Sequence, residues 1–231
     1  MTHTTTRRAV VDSFDELLAR PFADGVNALC WPRALEGDFD EVARCFAPDD
    51  GVVVVDVDML RAADLSAAGR VAADVMVDDL VRLQSLGREP ILNCIAAYAR
   101  DERGHAIAAD VLSFHVDRAP VEVDTWLCTY AGAPGEGLDN DDAVARINDP
   151  AVRAALVRDF GGVDDSAFDD VIFNESFDLH YAAVAAAVPF SFGVFALWKI
   201  AVAWPGALVP PCIHRAPQQD PGDAPRLLLI C

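Results

Sequence analysis

The sequence has few basic residues, and only one of them is a lysine, Lys199. Its 231 residues include 18 Lys and Arg residues against 37 Asp and Glu residues, so the formal net charge is −19. Nucleic-acid binding depends on cationic side chains that displace counterions from phosphates. An acidic chain therefore needs a local basic patch to bind nucleic acid. The only dense basic cluster is Arg7-Arg8. We therefore expect no nucleic-acid partner.

The sequence also lacks paired cysteines. Its six cysteines form no C-x-x-C motif and have no regular spacing, which argues against zinc ribbons and thioredoxin-like sites. Most have apolar neighbours, as in Leu29-Cys30-Trp31, and this is typical of reduced cysteines in a core. The Thr-rich N-terminus has no apolar segment of the kind found in signal peptides. We therefore expect a cytoplasmic protein.

The longest uncharged run, at 181–198, has the length at which a transmembrane helix becomes a candidate. However, Pro189 lies in its middle, and Ser191 and Gly193 follow. These residues interrupt a helix, so we predict an Ala-rich helix at 177–187 followed by a buried strand at 192–202. We expect no membrane partner.

No linker rich in Pro, Gly or Ser divides the chain, and we predict a single domain over 1–231. Residues 1–90 are predicted to be mainly helical, because apolar residues recur at three- and four-residue spacing at 38–46 and 62–86. Gly87 is a stop signal for the second helix. The β-branched run at 51–56 predicts a strand between them.

The pattern changes at residue 91, where apolar segments separated by turn-like residues predict consecutive antiparallel strands. These strands are predicted at 91–99, 109–117, 121–130, 192–202 and 225–231. A polar stretch rich in Gly and Asp at 132–170, with one helix at 150–160, interrupts them, and such long excursions are often functional. Helices followed by strands predict an α+β fold in which a helical layer supports an antiparallel sandwich or barrel.

His115 and Asp117 form an H-x-D motif at the end of a predicted strand, so their side chains are expected on the same face. His214, just before the last strand, can supply a third ligand from a neighbouring position. Two histidines and one carboxylate leave other metal positions open, as in non-haem Fe(II) oxygenases. The alternative is a chance motif whose histidines make ordinary hydrogen bonds.

Arg226 lies on the last predicted strand, where alternation places it on one face with Leu228 and Ile230. An arginine on an apolar face is costly to bury unless an anion meets it, and its planar fork suits a carboxylate. A dicarboxylate that chelates the metal at one end and pairs with Arg226 at the other would explain both features.

The order His115-x-Asp117, His214 and Arg226 resembles the Fe(II)/2-oxoglutarate-dependent oxygenase superfamily. More narrowly, four segments resemble a little-characterised bacterial family of small proteins: Phe114-His-Val-Asp117, Leu127-Cys-Thr-Tyr-Ala-Gly132, Ala203-Trp-Pro-Gly206 and His214-Arg-Ala-Pro…Pro225-Arg-Leu-Leu-Leu229. The resemblance covers about 91–231 and implies a double-stranded β-helix (jelly-roll) core supported by the N-terminal helices. It also implies Fe(II) held by His115, Asp117 and His214, with 2-oxoglutarate held by Arg226 and O₂ as second co-substrate.

Several further residues are candidates for contacting the co-substrate. Lys199 is an alternative anchor, because some jelly-roll oxygenases use lysine, although it could instead extend to solvent. We favour Arg226, since its bidentate geometry matches a carboxylate better than a point charge does. Thr129, Tyr130 and Asn93 could donate hydrogen bonds into the barrel, or could serve only in the core.

The resemblance implies oxidation of an unactivated C–H bond in a small, amino-acid-like metabolite by hydroxylation, desaturation or ring closure. Halogenation is not expected, because halogenating relatives lack the carboxylate ligand and Asp117 is present. Departures from the family pattern at 132–137 and 195–196 affect the substrate side, and the 132–170 stretch could act as a lid. Two alternatives are a jelly-roll module that binds metal without turnover and an iron oxygenase that does not use 2-oxoglutarate. We make no prediction of the oligomeric state.

Overall fold

A computed structural model describes residues 7–219 and 222–231. The helices are α1 (Phe14–Ala19), α2 (Phe39–Phe46), α3 (Val57–Ala62), α4 (Ala67–Ser85), α5 (Pro150–Phe160) and α6 (Ser166–Asn174). The strands are β1 (Arg8–Val10), β2 (Ala28–Trp31), β3 (Val52–Val55), β4 (Ile91–Ile95), β5 (Asp124–Ala131), β6 (Glu136–Leu138), β7 (Ala143–Ala145), β8 (Tyr181–Ala183), β9 (Phe190–Ser191), β10 (Leu197–Ala201), β11 (Ile213–Arg215) and β12 (Arg226–Ile230).

A large sheet organises the molecule, with seven strands in the order β1-β2-β10-β5-β12-β4-β3. Its neighbours pair antiparallel except β1 and β2, which are parallel. The sheet is not closed into a barrel, since β1 and β3 are its two edges. The α+β class is confirmed, whereas the jelly-roll core is not.

A smaller layer covers part of one face of the large sheet. It contains the three-stranded sheet β11-β6-β9, to which His115 is joined by a bridge to His214. Phe192 and Cys212, from this side, share an apolar cluster with Trp198 and Leu228 of the large sheet. The small layer therefore packs on the face where the candidate ligands lie.

Helices α1–α4 cover the other face. Helices α1–α4 each begin at a Ser or Asp whose side chain accepts a hydrogen bond from a backbone N–H of the first turn, which favours a helix start there. Buried residues of these helices, such as Val42 and Met76, form one cluster with residues of the sheet, such as Trp126 and Tyr130. This cluster forms the main apolar core.

Many predicted elements are confirmed. Helix α2 matches 38–46, α5 matches 150–160, and α4 ends just before Gly87, which has a φ of +74°. Strands β3, β4, β5 and β12 lie within the segments predicted at 51–56, 91–99, 121–130 and 225–231, apart from the last residue of β5. In the first ninety residues, β1 and β2 were not predicted; they add two strands to the large sheet.

Two predicted elements are wrong. Residues 109–117 form turns and isolated bridges rather than a strand, because Asp110 accepts the backbone N–H groups of Leu112 and Ser113 in a local turn. The Ala-rich helix at 177–187 is replaced by a short 3₁₀ turn and β8, which pairs with β7. Alanine propensity is a weak signal that tertiary pairing overrides.

Within the described residues, the helices are all too short or too polar to cross a membrane.

A buried ion pair connects the helical layer to the sheet. The Arg33 guanidinium donates to the Asp79 carboxylate of α4 at 2.6 Å, and the Tyr130 hydroxyl of β5 donates to the same carboxylate oxygen at 2.6 Å. The Arg33 and Asp79 side chains are only 7% and 6% exposed. Such a pair is costly to break, because removal of one partner leaves a buried charge without compensation.

We therefore expect Asp79→Ala to lower the free energy of unfolding by about 3–5 kcal/mol. The matched control is Asp164→Ala, which removes an exposed partner of Arg153 and should change the stability little, because exposed ion pairs are screened by solvent. Urea denaturation of the two variants and the wild type measures both effects. Equal losses in the two variants would contradict a stabilising role for the buried pair.

Candidate functional site

His115, Asp117 and His214 lie together as predicted. Each offers one ligand atom, and these atoms all lie within 4.8 Å of one another. His214 Nε2 is 3.8 Å from Asp117 Oδ1, and the rings of His115 and His214 have centroids 4.5 Å apart. Two imidazoles and one carboxylate at this spacing can hold a divalent metal ion.

Backbone pairing places the two histidines side by side. The N–H of His115 donates to the carbonyl of His214, and the N–H of His214 donates to the carbonyl of His115, both at 2.9 Å. Phe114 and Val116 point away into a separate apolar cluster. Alternation therefore brings Asp117 to the same side as His115 although the segment is not a regular strand.

Hydrogen bonds to the chain orient both rings. His115 Nδ1 is 2.8 Å from the carbonyl oxygen of Ser113, and His214 Nδ1 is 3.2 Å from that of Cys212. Carbonyl oxygens only accept, so each Nδ1 carries a proton, and in the neutral imidazole this arrangement leaves the lone pair on Nε2. This is the tautomer that a metal-binding histidine needs.

The carboxylate is also held. The Thr125 hydroxyl of β5 donates to Asp117 Oδ2 at 2.6 Å, which leaves Oδ1 on the side of His214. Such contacts behind a metal ligand fix its orientation. Burial, together with the nearby His214, lowers the pKa of His115 to about 4. His115 is therefore neutral at physiological pH, as a ligand must be.

Arg226 lines the same cavity as the cluster, which has a volume of about 230 Å³. Its side chain is 3% exposed; it donates to the hydroxyl oxygens of Tyr98 at 2.5 Å and Thr129 at 3.2 Å, while its Nε has no partner. No carboxylate of the described residues pairs with it. Burial lowers the pKa of Arg226 below its usual value, and the Tyr98 hydroxyl offsets part of this shift.

The backbone beside Arg226 is tightly packed. Gly132, which follows β5, has a φ of +74°, and a Cβ there would lie 2.8 Å from the Cα of Arg226. Any other residue would be strained and would clash with the backbone of β12. Gly135 also lies close, since a Cβ there would be 3.4 Å from Arg226 Nη2. Because Gly132 and Gly135 have no side chains, the loop after β5 can pass close to Arg226.

The remaining candidate residues divide between the two faces of the large sheet. Thr129 contacts Arg226, and Asn93 lines the cavity. Tyr130 lies on the opposite face and donates to Asp79. Lys199 also lies on the opposite face: its Nζ donates to the carbonyl of Arg20 at 2.6 Å, and it pairs in register with Trp126. The structure therefore does not bring Tyr130 or Lys199 to the cluster.

Tyr98 is a cavity residue that sequence reasoning missed. In the predicted strand 91–99, alternation places Tyr98 on the face opposite Asn93. Strand β4 instead ends at Ile95 and the chain turns, so Tyr98 reaches Arg226. His180 was also not singled out; its ring lies 5.9 Å from that of His115, and its Nδ1 faces the carbonyl of Ser176.

Comparisons of the chain with protein-family models, curated proteins and solved structures found no match.

The hydroxyl behind Asp117 gives a test of the metal centre. We expect Thr125→Val, which removes that hydrogen bond but keeps the side-chain shape, to weaken metal binding about 10- to 100-fold. The control is His105→Ala, since His105 faces Asp159 instead of the cluster. Competition with a chelating dye measures the affinity for Fe(II), or for Zn²⁺ in air. An unchanged affinity in Thr125→Val would contradict a metal centre at Asp117.

Proposed function

We propose that this protein is a non-haem Fe(II)- and 2-oxoglutarate-dependent oxygenase that oxidises an unactivated C–H bond of a small molecule. The observation that carries the proposal is the presence, in one cavity, of a His-Asp-His cluster and a buried arginine that has no acidic partner among the described residues. The cluster is suited to a metal, and the arginine is suited to an anion. A ligand that contacts both would be an anionic chelator.

The donor set fits ferrous iron. Two neutral imidazoles and one carboxylate on one side of a metal leave positions open for co-substrates. Zinc also accepts three such ligands and one open position, so the cluster alone favours no single metal. Arg226 supports iron with 2-oxoglutarate, because a buried guanidinium beside the metal cluster suits the second carboxylate of a dicarboxylate co-substrate.

The polar groups around Arg226 fit a carboxylate. The Nε–H of the guanidinium has no partner among the described residues, and Tyr98 and Thr129 add hydroxyl groups beside it. A carboxylate there would compensate the buried charge, which neutral hydroxyls do only in part. We propose that these three residues bind the carboxylate of 2-oxoglutarate farther from the metal.

The arrangement of strands supports a jelly-roll core within the α+β fold. The four strands β10-β5-β12-β4 are adjacent in the large sheet. The segment around His115 forms a bridge to β11, and β11 is followed in the smaller sheet by β6 and then β9. Two four-stranded layers that pack face to face are the plan of a jelly roll. In this proposal the additional strands β1, β2 and β3 extend the larger layer.

Each group has a defined role in this proposal. His115, Asp117 and His214 would hold the iron, and Arg226 would orient the co-substrate. Bound iron would supply the activation of O₂, with 2-oxoglutarate as the source of two electrons. Leu127, Leu228 and Phe192 give the cavity apolar walls, which exclude water from the reacting groups. Since Asp117 is present as a ligand, we propose hydroxylation, desaturation or ring closure rather than halogenation.

An anaerobic titration tests the proposal. A weak visible charge-transfer band is expected when Fe(II) and 2-oxoglutarate are both present, and neither alone should produce it. His115→Ala should abolish the band because it removes a ligand, whereas His105→Ala should retain it. Iron binding that is indifferent to 2-oxoglutarate would overturn the proposal and favour a metal-binding module or an oxygenase that does not use this co-substrate.

A second experiment tests the anchor. We expect Arg226→Ala to raise the 2-oxoglutarate concentration required for the band at least 30-fold, which corresponds to about 2 kcal/mol. Its iron affinity should be nearly unchanged, which also shows that the variant folds. Lys199→Ala is the control, because Lys199 lies on the other face of the sheet. A stronger effect of Lys199→Ala than of Arg226→Ala would show that the anchor is wrong.

A further inference from the structure

The cavity continues onto an open apolar part of the large sheet. The smaller layer packs against β2, β10 and β5, where Cys30, Trp198 and Leu127 are buried. Towards the edge strand β3, exposure rises: Val54 is 57% exposed and Ile91 is 44% exposed. The described residues therefore leave the β3 side of this sheet face open, beside the candidate metal centre.

The register shows that this open part and the cavity are one surface. Val52 pairs with Ile95, and Val54 pairs with Asn93. Across the next strand, Asn93 pairs with Leu228, and Ile91 pairs with Ile230. Paired residues have side chains on the same face, and Val52, Asn93, Ile95, Leu228 and Ile230 all line the cavity. We call the surface formed by Val52, Val54, Ile91, Asn93, Leu228 and Ile230 the aliphatic face.

The exposed valines belong to the cavity side specifically. In β3, Val53 and Val55 pack into the core beneath the helices, while Val52 and Val54 point the other way. Contiguous exposed apolar side chains beside a pocket are typical of a ligand-binding surface. Their continuity with the cavity indicates that one ligand covers both.

The size of the cavity points the same way. Its volume of about 230 Å³ is below the roughly 300–1,000 Å³ of typical small-molecule pockets. In the proposed function this space must hold 2-oxoglutarate as well as the reacting end of the substrate. The rest of the substrate therefore has to extend beyond the cavity along the aliphatic face, towards Val54 and Ile91.

The chemistry of the aliphatic face is uniform except at one position. It carries no charge, and Asn93 is its only polar residue. The Asn93 amide can both donate and accept hydrogen bonds. A neutral group with the same two capacities, such as a secondary amide, complements it best.

We propose that the substrate is an elongated, mostly aliphatic molecule that carries a neutral amide. Its alkyl part lies across β12, β4 and β3, its amide meets Asn93, and its other end reaches the His-Asp-His cluster. That this molecule is a substrate rests on the proposed function, whereas its binding to the aliphatic face does not. A free amino acid fits less well, because the six residues of the aliphatic face include no acid that could meet its ammonium group.

Binding of N-hexylacetamide to the full chain tests this inference. Saturation-transfer NMR and calorimetry are carried out on metal-stripped and Fe(II)-loaded protein, so binding is measured apart from turnover. We expect the amide to bind in both forms and leucine to bind in neither. Val54→Asp should weaken binding about tenfold, because the alkyl chain would then cover a charge. Val144→Asp is the control, since Val144 is an equally exposed strand valine outside the aliphatic face.

A second variant tests the polar contact. Asn93→Leu should weaken N-hexylacetamide binding roughly fivefold, the loss of one neutral hydrogen bond, and should leave binding of butylbenzene equal or tighter. Equal amide binding by wild type and Val54→Asp, or leucine binding as tight as the amide, would overturn the inference. So would a dimer that dissociates in Val54→Asp, because a second copy would then cover this face. Amide binding without any iron and 2-oxoglutarate band would retain the surface and reject the oxygenase.

Discussion

The register of β5 is the constraint on which the rest of the structure depends, because this strand carries the site on one face and the core on the other. Thr125, Leu127 and Thr129 face the cavity, where they contact Asp117, line the wall and meet Arg226. Trp126 and Tyr130 face the helices. A slip of one residue against β12 would exchange the two sets. The buried Tyr130–Asp79 hydrogen bond opposes such a slip, because the slip would move the Tyr130 hydroxyl to the face away from Asp79.

The periodicity of the sequence predicted which residues share a face but not what each face contacts. Alternation correctly joined His115 with Asp117, and Arg226 with Leu228. It could not distinguish Lys199 from Arg226 as an anchor, because both β10 and β12 are apolar on both faces, as buried strands are. Pairing with Trp126 places Lys199 on the face away from the cluster, and it is a long-range contact. Tyr98 was missed for a similar reason, since a turn after Ile95 carries it to the cavity.

Arg33 and Arg226 both have buried side chains, but their charges have different partners. Arg33 has a carboxylate partner, Asp79, and its Nε donates to the carbonyl of Phe195. Arg226 has only the hydroxyls of Tyr98 and Thr129 and an Nε without a partner. With 37 acidic residues in the chain, acids are abundant. The lack of one beside Arg226 among the described residues is therefore a feature of this cavity, and it leaves the charge available for an external anion.

The aliphatic face exposes apolar side chains on an edge strand, which favours association between chains. An edge strand with exposed valines, such as β3, is a site where chains can associate through their unpaired backbone groups. Strand β3 is short, and acidic residues flank it at Asp50 and Asp56, so the strong negative charge of the chain opposes such contacts. The acidity of the chain would thus protect an exposed apolar surface. A ligand that covers Val52 and Val54 would stabilise the folded state by an amount that grows with the logarithm of its concentration above its Kd, because it binds only the native sheet.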